Sequence, residues 1–391
     1  MITIYLLYVI ILYIDLVNTC LFNYNTKNII YADIVQLSNS LNIIVNLGNH
    51  NLKYLELDMC LPYSYTTRYY YRMDTSPTEV NYGMKEIDYQ NQTLEYFDLS
   101  DIISFNISKL SNQQMKLYQN KKFNFYFFPN ATFLRYDSIS LAFNNNQYDS
   151  HNIVNLLYND NMISKKSFAI ESYGLFSKGK LFFGGFYSKL KPYALPIPVD
   201  PHKNEWNILC DKIIVNTVKY NYNVNIVFNS KIQVMTVSKR FLDKLNKELF
   251  DNQCDYKGEK SFVCKENDLT KKIRKIMFVF GNKIVEVDIN DFITIEDKLW
   301  TLNFGIVDNE GDVEEWFFGI DIIRQLTVEF DYDEKKVVFY EEKPFKQIGI
   351  NGEIIECVEE KGVIKGLYMG VICINIINII MFIIYRNFYL K

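Results

Sequence analysis

From residue 29 to about residue 340 the chain is built of short apolar runs rich in Val, Ile, Phe and Tyr, interrupted by Asn, Asp and Gly. "KFNFYFF", "GKLFFGGF", "KIMFVF" and "KKVVFY" are typical, and this pattern predicts many short β-strands joined by turns. Helical spacing is scarce. It is clear in "HNIVNLLYNDNMI" (residues 151–163) and "VSKRFLDKLNKELF" (residues 237–250), the second with Ser238 placed as an N-cap. The fold class expected is therefore all-β with a few short helices. The segment "LKPYALPIPVDPHKNEW" holds four of the eight prolines and lies near the midpoint, where a crossover between two lobes is expected.

The two ends differ from this pattern. "MITIYLLYVIILYIDLVNTC" opens with an apolar run that stops at Asp15, too short to span a bilayer and placed as a secretory signal, although it lacks a basic start. Residues 366–385, "GLYMGVICINIINIIMFIIY", carry no charge and are long enough to cross a hydrocarbon core, with Arg386 and Lys391 behind them. Together these imply a single-pass type I topology, with the folded part lumenal or extracellular, in the secretory pathway or at the cell surface. The chain divides accordingly into a signal (1–20), a first lobe (29–192), a second lobe (193–345), a stalk (346–365), a transmembrane helix (366–385) and a cytosolic tail (386–391).

At 391 residues the chain exceeds one ordinary core and suits two lobes. The formal charge of −4 and the lack of any Lys/Arg block on a periodic face argue against nucleic acid as a partner. An oxidising compartment permits disulfides among the seven cysteines. Cys254 and Cys264 bracket the polar loop "DYKGEKSFV" as a natural short cystine, while the pairing of Cys60, Cys210 and Cys357 is open. Asn91, Asn106 and Asn130 each begin an N-x-S/T sequon, which fits a glycosylated lumenal surface.

G-x-S-x-G, a Walker loop, H-E-x-x-H, paired C-x-x-C and G-x-G-x-x-G are all absent. His50, His151 and His202 stand apart from one another and from the cysteines, so neither a metal site nor a cysteine nucleophile at Cys60 is expected. One acidic residue does stand out. In "LKYLELDMCLPYSY" (residues 52–65), Asp58 closes an apolar run just before an irregular Cys-Leu-Pro segment, where a strand delivers a side chain into a cleft.

The second half carries a more specific signal. "GKLFFGGFYSKLKPYALPIPVDPHKNEWNILCDKIIVN", and later "EEWFFGIDIIRQLTVEFDYDEKKVVFYEEKP", resemble the pepsin-like aspartic proteases in the order and spacing of Gly184, Gly185, Tyr193, Trp206, Trp316, Gly319, Arg324, Gln325, Phe330, Asp331 and Val338. The resemblance extends more faintly over residues 29–342. It implies a bilobal fold of two β lobes related by a pseudo-twofold, with a peptide or protein cleft between them and a hairpin flap above, and it calls for no cofactor and no metal. Cys254 and Cys264 fall where the family has its second-lobe cystine.

The chemistry departs from that pattern. The family's reaction needs two aspartates sharing one proton, each delivered by a D-T/S-G loop, one activating water while the other polarises the carbonyl. Asp58 occupies the first position, followed by Met59-Cys60-Leu61. The second loop reads "NIVFNSKI", placing Phe228 where the second aspartate belongs, and no Asp occurs between Asp211 and Asp243. Leu141 stands near the glycine of the first lobe's central loop, and the flap keeps Tyr96 without its glycines. A lone Asp58 cannot be acid and base together. The expectation is a catalytically dead homologue, anchored in a membrane, that binds a peptide or protein in its cleft. The alternatives are a divergent active aspartic endopeptidase in an acidic compartment, and a structural surface or adhesion protein with a filled cleft.

Overall fold

The computed structural model describes residues 29–356 apart from 38–39, 49, 68–78, 90–91, 110–114, 120–121, 130–136, 144–148, 172–178, 187–190, 259–261, 266–273, 297–298, 309–312 and 350–352. The expected signal and transmembrane segments lie outside these residues. Among the described residues no helix is long and apolar enough to cross a membrane.

The apolar runs fold as strands, and most of them pack one face into a common core. In Lys275–Phe280, Ile276 and Phe278 are buried while Lys275 is exposed. In Tyr193–Pro198, Leu195 and Ile197 turn inward; Pro196 and Pro198 are tolerated because this strand ends the sheet, where a ladder needs no donor on the outer side. Gly184 and Gly185, both at positive φ (83° and 127°), turn the chain at the end of Gly179–Phe183, a conformation that disfavours any side chain.

One 15-stranded sheet ties the halves together. It begins with Tyr193–Pro198 and the last strands of the second lobe, Lys336–Glu341 and Thr327–Asp331, and Thr327–Asp331 pairs antiparallel with Ser167–Glu171 of the first lobe. It continues through Gly179–Phe183 and Ile30–Leu37 into the remaining first-lobe strands and ends on the hairpin Val80–Tyr89 and Gln92–Asp101. The second lobe adds sheets of five, six and four strands. Residues 347–348 and 354–355, placed in the stalk on sequence, pair with each other, and Gln347 pairs with Lys283, so they extend the six-stranded sheet.

Both expected helices form. Helix α1 (Ile153–Asn159) is capped by Asn152, which accepts from the Val154 amide. Helix α2 (Lys239–Leu249) is capped by Ser238, which accepts from the Phe241 amide, and buries Phe241, Leu242, Leu245 and Leu249. A third, α3 (Ile320–Ile323), spans a single turn, too short for a periodic signal. Cys254 and Cys264 face each other across paired strands with Cα atoms 4.0 Å apart and form the expected disulfide. Cys60 and Cys210 are free thiols.

Candidate active site

Two copies of one strand crossing create the centre of the molecule. In the first lobe His50–Asp58 runs parallel to Ser138–Ser140, which bridges antiparallel to Tyr65; Tyr65–Thr67 in turn runs parallel to Phe123–Phe128. In the second lobe Val224–Phe228 runs parallel to Glu314–Phe318, which bridges antiparallel to Thr236; Thr236–Ser238 runs parallel to Gly305–Val307. Asp58 pairs with Ser140 and Phe228 with Phe318, each at the last residue of its strand. Phe228 is therefore the pseudo-symmetric counterpart of Asp58.

The residue after each pairing differs. Gly319 has no room for a side chain, because a Cβ there would lie 2.4 Å from the Val234 carbonyl oxygen and 2.6 Å from that of Ile232. Its first-lobe counterpart is Leu141, fully buried in the core. The Leu141 carbonyl accepts from Trp206 Nε1 and from the Tyr332 hydroxyl, each at 2.8 Å, and so fastens this loop to second-lobe residues.

Asp58 is completely buried. Its Oδ1 accepts from the amides of Cys60 and Leu61, both at 2.9 Å, which fixes the carboxylate against its own loop. Its Oδ2 takes no hydrogen bond but lies 3.2 Å from Lys231 Nζ. Lys231 comes from the second lobe, three residues beyond Phe228. Its ammonium also donates to Glu56 Oε2 at 2.8 Å and to the Tyr65 hydroxyl at 3.4 Å, and lies 5.5 Å from the Tyr65 ring centroid. Glu56 and Asp58 are two apart on one strand, so their side chains leave the same face and converge on one cation.

The electrostatics follow from this geometry. Burial works against the Lys231 charge, but Asp58, Tyr65 and Glu56 outweigh it and raise the ammonium's pKa above the usual lysine range. Burial raises Glu56, with Lys231 pulling it partly back. Burial pushes the Tyr65 phenol up to about 12, and burial with the Asp58 charge does the same to the Cys60 thiol. Cys60 is thus no nucleophile at neutral pH. Its Sγ–H donates across the lobes to Asn229 Oδ1 at 3.0 Å, and the Met59 amide donates to Ser230 Oγ at 2.9 Å.

Phe228 is 1% exposed, its ring edge-on to Phe318 and Phe330 (centroids 5.6 and 5.0 Å) and 6.3 Å from Phe339. Residues 40–341 match the eukaryotic aspartyl protease family. The chain belongs to that family. No curated protein sequence matches it. Among solved structures it is similar to conglutin gamma, a basic 7S globulin from lupine seeds, at 12% identity and a TM-score of 0.64, over 80% of this chain and 95% of that one. It is also similar to the basic 7S globulin from soybean, at 11% identity and a TM-score of 0.61, with the same coverage. At such identities the likeness is one of fold.

Within this aspartyl protease frame the structure places the remaining expected residues. Tyr96 lies on the Val80–Asp101 hairpin with its ring turned inward, 4.1 Å from Tyr126 and 5.7 Å from Phe128. Phe128 in turn meets Tyr65, so an aromatic wall runs from the hairpin down to the Lys231 ammonium. Asn106 is exposed on Ile103–Lys109, while Asn91 and Asn130 lie outside the described residues. The sequence places Phe228 at the second acid's position, whereas the group that meets the Asp58 carboxylate is Lys231. Lys231, Glu56 and Tyr65 were not singled out. The available signal was the E-x-D spacing of Glu56 and Asp58, which places two acids on one buried face and demands a cation.

Proposed function

We propose that this chain is a membrane-anchored, non-catalytic member of the aspartyl protease family that holds an extended peptide or protein segment at its inter-lobe cleft. One observation carries the reading: the Asp58 carboxylate is paired with the Lys231 ammonium, and the pseudo-symmetric position is Phe228 inside a closed aromatic cluster. Hydrolysis by this fold requires an ionised carboxylate to take a proton from water while a second, protonated one polarises the scissile carbonyl. A carboxylate held by an ammonium at the first position and a phenyl ring at the second supply neither step.

Peptide capture needs no chemistry. Val80–Tyr89 is the outermost strand of its sheet among the described residues, and side chains 81–86 are exposed. Such a strand offers main-chain hydrogen bonds to an extended segment. The Cys254–Cys264 disulfide and the exposed sequon at Asn106 support a lumenal or extracellular setting. The test is capture of extended peptides from a random library by the immobilised chain. Binding without turnover is expected; absence of any captured sequence defeats the reading. The aromatic wall of Tyr96, Tyr126 and Phe128 favours a second, purely structural role, and absence of capture would support that instead.

A further inference from the structure

Two buried carboxylates converge on one amine where the two lobes meet. The side chains of Glu56 and Asp58 are 7% and 0% exposed, and the Asp58 Oδ2 atom is buried with no hydrogen-bond donor, so a cation must offset its charge. The third wall is Tyr65, offering its hydroxyl at 3.4 Å and its ring face at 5.5 Å, the arrangement that attracts a compact cation. The group seated there in this structure is itself an ammonium, from the opposite lobe.

We propose that Glu56, Asp58 and Tyr65 form an ammonium-binding site, filled in cis by Lys231, and that an amine of a bound peptide is the class of ligand that exchanges with it. This rests on the non-catalytic reading, which leaves Asp58 free for such a role. The chemistry selects an ammonium over a guanidinium. Asp58 Oδ1 is already taken by two amides, so the Asp58 edge is closed to a planar bidentate fork, whereas one point charge reaches Asp58 Oδ2, Glu56 Oε2 and the Tyr65 ring. Lys231 is also placed to leave. It sits in the loop after Val224–Phe228 and its side chain is 29% exposed, so the group that leaves is on a loop and reaches solvent. As a tethered occupant it holds a high effective concentration, so the site reveals its affinity for a free amine once the tether's own amine is removed.

The experiment is thermal denaturation of the full chain, wild type and Lys231→Ala, in ethylammonium chloride, with sodium chloride at equal ionic strength and ethanol as controls. The variant should melt lower than the wild type and regain about 2 °C at an ethylammonium concentration ten times its Kd, while the wild type moves by less than about 1 °C and neither control reproduces the rise. Adding Glu56→Gln should weaken that rescue by about tenfold or more. Equal shifts in both chains, or rescue by sodium chloride, overturn the proposal. If Lys231→Ala does not fold, reductive methylation of the wild type decides. Lys231 should react at least about tenfold more slowly than the exposed Lys257, and equal rates refute a seated ammonium. A Lys231→Ala chain that gained proteolysis would overturn the non-catalytic reading while leaving the amine site to be judged by the melting data.

Discussion

Replacing Lys231 by methionine keeps the apolar stem and removes the charge, leaving Glu56 and Asp58 buried with no cation. The two contacts, at 2.8 and 3.2 Å, correspond to about 5–6 kcal/mol of attraction each at an effective dielectric near 20. Desolvation of the ammonium and about 2 kcal/mol of lysine rotamer entropy oppose this. Removing one partner of a buried ion pair typically costs about 3–5 kcal/mol, and the partial exposure of the Lys231 side chain, 29%, puts this case at the low end, about 3 kcal/mol. The folded-state pKa of Lys231 is raised, so its contribution is complete below the unfolded value of 10.5 and is lost only as pH climbs through the folded one. Guanidinium unfolding at pH 7 and at pH 9 should therefore give the same loss. A loss below about 0.5 kcal/mol at pH 7, or a gain in stability, would refute the reasoning. The triple variant Glu56→Gln, Asp58→Asn, Lys231→Met should recover much of the loss, because the three groups act as one unit.

Other outcomes follow from the same structure. Cys254→Ser should lower stability by about 2–3 kcal/mol, as expected for so short a loop, and non-reducing peptide mapping should recover the Cys254–Cys264 fragment from the wild type. Burial lowers His151 to about 4, so the folded state keeps it neutral and stability is lost as pH falls from about 6.5 toward 4. Burial raises Asp137 to about 6 against its bonds from Thr66 and Thr67, so its contribution runs the other way, full below its unfolded 3.8 and lost as pH rises through 6. The two slopes oppose each other in the wild type; Asp137→Asn should steepen the loss in acid and His151→Gln should reverse it, each readable from urea midpoints between pH 4 and 7. Phe228→Ala should cost about 3–5 kcal/mol through the cavity left among Phe318, Phe330 and Phe339, and an unchanged midpoint would contradict the packing.

The fold was legible because period and punctuation agree with it. The strands follow runs such as "KIMFVF", both longer helices follow their apolar spacing, and Ser238 caps where its side chain predicts. The vacancy at the second acid was also legible, since Phe228 ends its strand in register with Phe318 as Asp58 does with Ser140. What replaced the missing acid was not. Lys231 reaches Asp58 across 173 positions and two lobes, a distance no local pattern encodes. The aromatic wall below the hairpin is hidden for a similar reason: Tyr96, Tyr126 and Tyr65 lie on separate strands, and only the sheet order brings them together.

The central claim is that no proton-sharing pair of acids exists at Asp58, and hydrolysis of an unfolded protein substrate across pH 3 to 7 tests it most directly. The purified chain should release no new amino termini at any pH in that range. Hydrolysis by the wild type that falls by about 100-fold or more in Asp58→Ala would contradict the account, because it would require an acid from the second lobe at the position that Phe228 fills, or a release of Asp58 from Lys231.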